Sequence, residues 1–175
     1  DNPYLSSGRK PRLLIVGAGM MGREHLRVSQ LLGWADMQGI VDPDGGSLEW
    51  ACTDWRLLTD APLTIYRDLS EACLDEQVDA IVIATPNHTH RDVLHAVAAS
   101  QKPVLLEKPM ATTLADAMDI VNLAQGYPAV IQLGMQYRFK AQYVEALQAV
   151  AAPSTLGQVK TVAMSEYLSL IHIDA

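Results

Sequence analysis

Apolar residues in this chain gather in short unbroken runs separated by stretches of helical period. The runs are LLIV (Leu13 to Val16), a stretch ending at Val41, LTIY (Leu63 to Tyr66), AIVIA (Ala80 to Ala84), VLL (Val104 to Leu106) and AVIQL (Ala129 to Leu133). Unbroken runs suit parallel strands covered on both faces, whereas half-exposed strands alternate. Between them, Leu48, Ala51, Cys52 and Trp55 share one helical face, and so do Leu114, Ala117, Met118 and Val121; Arg23, Arg27 and Gln30 mark the wet side of the first helix. Strand and helix alternate with short connections, which predicts an α/β fold with a doubly wound parallel sheet. After Leu133 the rhythm changes. A helix over about Ala141 to Ala152 leads through PSTLG to a strand-like run, QVKTVAMSEY, expected to open a further, incomplete α+β unit. No repeat with a period of roughly 20–50 residues interrupts this reading.

Composition narrows the partners. Of 175 residues, 49% are hydrophobic and 19% charged, a globular balance with room for one full core. The net charge of −7, with Lys and Arg scattered, argues against a nucleic-acid or anionic-membrane surface. No apolar stretch reaches the roughly 18 residues of a membrane span, and the first residues, DNPYLSSGRKPR, lack the apolar core of a secretory signal. A cytoplasmic location is therefore expected, together with an upstream piece, because the chain does not begin with Met. Cys52 and Cys73 form no metal-type pair and read as buried, reduced thiols, a disulfide between them being the alternative.

Chemistry enters with GAGMMG, which follows the first strand and opens the first helix. Gly17 permits a tight turn, Gly19 lets the backbone approach a pyrophosphate, and Gly22 allows close packing of helix on strand. Met20 and Met21 begin the helix, whose free N–H groups would face the phosphates. Asp42 ends the second strand at the spacing expected of an acid that accepts from ribose hydroxyls. The same carboxylate would repel a 2′-phosphate, and DPDGG supplies no Arg, so NAD is predicted over NADP. Asp42 read alone simply opens an Asp-Pro turn.

Two further stretches fall at strand ends. ATPNHTH places Thr85, Pro86, Asn87, His88 and His90 after the fourth strand, where side chains reach the ligand crevice of such a sheet. On the bland reading, Asn87 or Thr89 only caps the next helix. No Cys or carboxylate cluster joins the two histidines, so metal is not expected. His25, His95 and His172 read as ordinary helix or tail residues. LLEKPM ends the fifth strand, and successive side chains of an extended strand point to opposite faces, so Glu107 and Lys108 do not make one simple ion pair. Pro109 restricts Lys108 to extended angles, and the Lys108–Pro109 bond is a candidate for cis. A fixed ammonium at the crevice mouth is one reading; the bland one, favoured for this stretch alone, is a solvent-facing Glu-Lys at a strand end. On the first, partial burial and a nearby cationic nicotinamide would lower the Lys108 pKa and suit it to proton transfer with a substrate hydroxyl.

With GAGMMG, VDPD, ATPNHTH, VLLEKPMA and GMQYRF in this order, residues 12 to 167 resemble the Gfo/Idh/MocA family of NAD(P)-dependent oxidoreductases, the EKP tripeptide being the most specific element. The resemblance implies a Rossmann domain in which Gly17, Gly19 and Gly22 hold the pyrophosphate and Asp42 the adenosine ribose. Thr85, Pro86, Asn87 and His90 would lie on the nicotinamide side, Glu107 near the nicotinamide ribose, and Lys108 on the reacting hydroxyl. Arg138 would help shape the substrate cleft. Implied too are hydride transfer at a secondary alcohol of a sugar, inositol or related polyol, and a homo-oligomeric full-length form. The alternatives are an NAD-dependent glycoside hydrolase, and a nucleotide-binding module without catalysis. On this basis residues 1–11 form an arm, 12–135 the dinucleotide-binding domain, and 136–167 a junction helix and first strand of an incomplete substrate domain. Departures stand out. The most serious is that the family's second domain carries the substrate-binding sheet and the His/Asp partners that shuttle the proton, and only its first strand is expected here. Gln101 occupies a place where the family often has Gly, at a cost of up to about 1 kcal/mol if a left-handed helix end is needed. LSLIHI is what a transposon adapter, CTG TCT CTT ATA CAC ATC, would encode, so residues 168–175 are expected to be an appended tail.

Overall fold

The computed structural model describes residues 8–152, 158, 160 and 161. The expected strand in QVKTVAMSEY and the suspected tail at 168–175 lie outside the described residues, apart from single positions of the former. Residues Asp1–Met135 form one compact unit and Gln136–Ala175 a second.

The first unit contains six strands: β1 (Arg12–Val16), β2 (Asp36–Val41), β3 (Thr64–Tyr66), β4 (Ala80–Ile83), β5 (Val104–Leu106) and β6 (Ile131–Leu133). They form one sheet in the order β3-β2-β1-β4-β5-β6, and every neighbouring pair is parallel. The doubly wound parallel sheet read from the apolar runs is thus the fold observed. Five helices connect the strands: α1 (Met20–Leu32), α2 (Gly45–Leu58), α3 (Leu69–Leu74), α4 (His90–Ala98) and α5 (Leu114–Gly126). Alternate residues of the central strands feed two cores. Leu14, Val16, Ile81 and Ile83 pack with Ala72, Cys73, Leu94, Val97 and Ile120 of α3, α4 and α5, and Ile15 and Val82 pack with Leu26, Ala51 and Trp55 of α1 and α2.

Register decides where function can sit. Val16 pairs with Val41 and Ile83, Ile83 with Leu106, and Leu106 with Leu133, so the strands stop at a common level. The residues just past them continue the ladder: Gly17 N–H donates to Val41 O at 2.9 Å, Ala84 to Val16 at 2.8 Å, Glu107 to Ile83 at 3.0 Å and Gly134 to Leu106 at 2.8 Å. Every loop that leaves a strand therefore starts from the same edge.

One helical face is corrected. Leu114, Met118 and Val121 point outward, Leu114 being 79% exposed, while Ile120 and Leu123 face the core. Helix α5 is apolar over much of its circumference, so period alone does not fix its rotation. Polar contacts do: Asp119 Oδ2 pairs with Arg91 Nε at 2.7 Å and lies 2.7 Å from His95 Nε2, both of α4, which turns the acidic side of α5 toward α4. The cysteines are free; Cys52 is half-buried rather than buried, and burial pushes the Cys73 thiol up to about 11.

In the second unit a 3₁₀ turn, Gln136–Phe139, precedes α6 (Ala141–Ala151). Tyr137 stacks on Tyr143 with ring centroids 5.8 Å apart, and Lys140 Nζ lies 3.5 Å from the centre of the Tyr137 ring.

Candidate functional site

The glycine loop lies at the centre of the common edge. Gly17 turns at φ 102°, and a Cβ there would lie 2.6 Å from Ala84 O. A Cβ on Gly22 would collide with the Gly17 carbonyl, so α1 can lie this close to β1 only with glycine there. Gly19 differs: nothing lies within 4 Å of where its Cβ would be. Gly19 is also the N-cap of α1, with no side-chain cap and no acidic residue in the first turn. The N-termini of α2, α3 and α5, by contrast, are closed by Asp44, Asp68 and Thr113, each accepting from a backbone N–H of its own helix. Unclaimed N–H groups, a positive dipole end and open space above a glycine together fit a pyrophosphate. Met20 is exposed and Met21 half-buried at this helix start.

On the β2 side stands Asp42. Its Oδ2 accepts from Ala18 N at 2.6 Å and its Oδ1 from Asp44 N at 2.8 Å. It is thus both the turn-former of the bland reading and a brace for the glycine loop. Each oxygen keeps a second lone pair for a ligand hydroxyl. Asp44 is committed to Ser47 N at 2.7 Å as the cap of α2, and hydrogen bonding from the Ser47 side chain, then from its backbone N–H, holds the carboxyl below the usual range.

Thr85, Pro86, Asn87, Glu107 and Lys108 gather on the β4–β5 side. Asn87 and His88 are exposed on a 3₁₀ turn, Asn87–Thr89. Thr89 occupies the N-cap position of α4 but makes no side-chain cap bond, its hydroxyl lying instead 2.9 Å from the Thr85 hydroxyl and donating to Pro86 O at 2.8 Å, while Asn87 begins the 3₁₀ turn. His90 was expected beside the nicotinamide, and its ring instead lies under the loops, 0% exposed, with Nδ1 2.9 Å from Pro109 O and Nε2 3.0 Å from Thr85 O. Each nitrogen faces a backbone carbonyl oxygen, so the enclosed ring reaches a ligand only through the loops that carry those carbonyls. It follows that His88 and His90 form no metal pair, and no cluster of three metal-binding side chains occurs among the described residues.

Lys108 is exposed, a correction to its expected partial burial, and its amine has no hydrogen-bond or ion-pair partner among the described residues. Its backbone is anything but free. The Lys108–Pro109 bond is cis. Glu107 Oε2 accepts from Lys108 N at 3.0 Å, and Pro109 O meets His90. Glu107 and His90 are the only buried polar residues among those described, and both grip this one turn. Sequence reasoning missed His25, whose Nε2 lies 2.9 Å from Glu107 Oε1. A signal existed: His25 stands three residues after Gly22 and one before buried Leu26, on the face of α1 that packs on the sheet. Arg138 is exposed on the 3₁₀ turn of the second unit.

The Gfo/Idh/MocA profile, described as an oxidoreductase family with an NAD-binding Rossmann fold, matches residues 11–135. The chain belongs to this family. Among curated relatives, inositol 2-dehydrogenase 1 of Saccharopolyspora erythraea is 33% identical over 146 residues, 82% of this chain and 42% of its own length. The rhizopine catabolism protein MocA of Rhizobium meliloti is 32% identical over 73% of this chain and 38% of its own. Among solved structures, myo-inositol dehydrogenase from Lactobacillus casei, in complex with NAD(H) and myo-inositol, matches with a TM-score of 0.69 at 26% identity, covering 81% of this chain and 42% of that one. This member of the Gfo/Idh/MocA family thus spans less than half the length of these relatives. No helix among its described residues is long and apolar enough to cross a membrane.

Proposed function

We propose that the protein takes part in NAD-dependent hydride transfer at a secondary alcohol of a sugar, inositol or related polyol. One observation carries the reading: on a single sheet edge, an uncapped glycine-rich helix start lies between an acid, Asp42, and an exposed lysine on a gripped backbone, Lys108. The unclaimed N–H groups at the start of α1 after Gly19 would bind the pyrophosphate, and Asp42, which also braces the loop through Ala18 N–H, the adenosine ribose hydroxyls. A nicotinamide, when bound, supplies the hydride acceptor or donor. Lys108 would hold the reacting hydroxyl at Nζ and exchange its proton, which needs an amine without an internal partner. Asn87 and the backbone at Thr85 and Pro86 would line the nicotinamide side. The named dehydrogenase relatives favour oxidation over the hydrolytic alternative. The domain limits 12–135 and 136–167 belong to the same proposal, as does a homo-oligomeric full-length form.

Fluorescence titration with NADH and NADPH, followed by absorbance at the NADH band with NAD and a panel of inositols and free sugars, tests this. NADH binding tighter than NADPH, and reduction of NAD by at least one polyol, are expected. NADH binding without turnover on any polyol would leave the nucleotide-binding module as the better reading. Absence of NADH binding at millimolar ligand overturns both.

A further inference from the structure

The loop that carries Lys108 is tied to the helix that opens at the glycine loop. His25 projects from α1 and its Nε2 lies 2.9 Å from Glu107 Oε1, across 82 positions of sequence. The side chains are only 23% and 11% exposed, so water competes weakly for either. The other oxygen, Oε2, accepts from Lys108 N at 3.0 Å. A Cβ on Gly134, just past β6, would stand 3.4 Å from Oε1, so the β6 turn lies in contact range of the same carboxylate. Three elements converge on one side chain: α1, the β5 turn and the β6 turn.

We propose that His25 is a positioning residue: by holding Glu107 it fixes the nicotinamide half of the site, on the β4–β5 side, relative to the phosphate-binding start of α1. The inference rests on the dinucleotide reading above. A carboxylate held by two donors has one orientation, and that orientation also sets the Lys108 backbone N–H. Without His25, Glu107 keeps the Lys108 contact but is free to rotate Oε1 away, and the turn loses its tie to α1. The adenine half, built from Gly17, Gly19 and Asp42, does not touch this pair.

The test compares two probes on the full chain. NADH occupies both halves of the site, whereas ADP occupies only the adenine and phosphate half. His25→Ala is expected to weaken NADH about tenfold while ADP changes less than about twofold. His25→Gln, which returns an N–H near the position of Nε2, is expected to restore most of the NADH affinity. Equal loss for NADH and ADP would mean that His25 merely supports α1 and would overturn the proposal, as would unchanged NADH affinity or failure of Gln to rescue. If His25→Ala does not fold, Glu107→Gln, which keeps the volume of the side chain, is read by the same two probes. A wild-type chain that binds ADP but not NADH would instead refute the functional reading itself.

Discussion

Strand β5 is flanked by two Lys-Pro pairs, and they live in opposite surroundings. Lys102, before the strand, donates through Nζ to Cys73 O at 2.7 Å and Asp75 O at 2.6 Å, closing the C-terminal end of α3. Its own carbonyl accepts from Tyr127 OH at 2.7 Å, and burial pushes its amine below the ordinary lysine range. Lys108, after the strand, is exposed and its amine is unpartnered among the described residues. The difference extends along both edges of the sheet. At the N-terminal edge, Asp79 takes Arg12 Nε at 3.0 Å and Arg9 Nη2 at 3.0 Å, so charge there is spent on structure. At the C-terminal edge, Glu107 and His90 are buried and hold the turn, the exposed Asp44 and Asp68 cap helices, and the Lys108 amine is left open. A charged residue is a candidate for chemistry when the fold has fixed its backbone and given its head group nothing to hold.

The sharpest way to break this contrast is to replace both lysines. Lys108→Met is expected to lower turnover on any responsive polyol by roughly 100- to 10,000-fold, the usual range for losing a general acid or base. Its melting temperature should stay within a degree or two of wild type, because no internal contact is removed. Lys102→Met should do the reverse. It leaves two carbonyls at the end of α3 without their charged donor, a loss of about 2–3 kcal/mol in urea unfolding. Turnover by the folded fraction is expected to be unchanged. A Lys108→Met protein that melts much earlier would show that the turn needs the amine for structure.

The N-terminal edge also predicts a pH dependence. Hydrogen bonds and charge from Arg12 and Arg9 hold the Asp79 carboxyl at about 2. A folded pKa below the unfolded value of about 4 gives stability that is fully present above pH 4 and lost as pH falls toward 2. The amount is on the order of 2 kcal/mol. Asp79→Asn should therefore be destabilised near neutral pH, and its stability should fall less than that of wild type between pH 4 and 2. Parallel curves for the two proteins would contradict the assignment.

How far these features could be read in advance follows from the range of each interaction. The strands showed because each is a local run of apolar residues, and the glycine loop because Gly17 and Gly22 are required by contacts within one turn-and-helix unit. Lys108 became a candidate only through the order of the surrounding motifs, since Glu107 and Pro109 read alone favour a solvent-facing strand end. What stayed hidden depended on partners far along the chain. Nothing near His25 announces Glu107, and nothing near His90 says that its ring will be enclosed between Thr85 O and Pro109 O. The rotation of α5 was hidden for the same reason, since Arg91 and His95 decide it from another helix.

The smallest expected effect tests the turn just before the first Lys-Pro pair. Gln101 has φ 55°, in the left-handed region, where a side chain is crowded by its own backbone. It ends the turn after α4: its N–H donates to Ala98 O at 3.2 Å, while the next residue is pinned through Lys102 Nζ and Lys102 O. The backbone cannot relax to negative φ without moving Lys102 from the end of α3. Gln101→Gly removes the crowding but adds freedom to the unfolded chain, so the two effects partly offset. A net gain of about 0.5–1 kcal/mol is expected in urea unfolding, with no change in NADH affinity, because the residue belongs to the edge that carries structure. A change in NADH affinity as large as that of a Lys108 variant would mean that the two ends of β5 are coupled and that the division of labour between its lysines is not real.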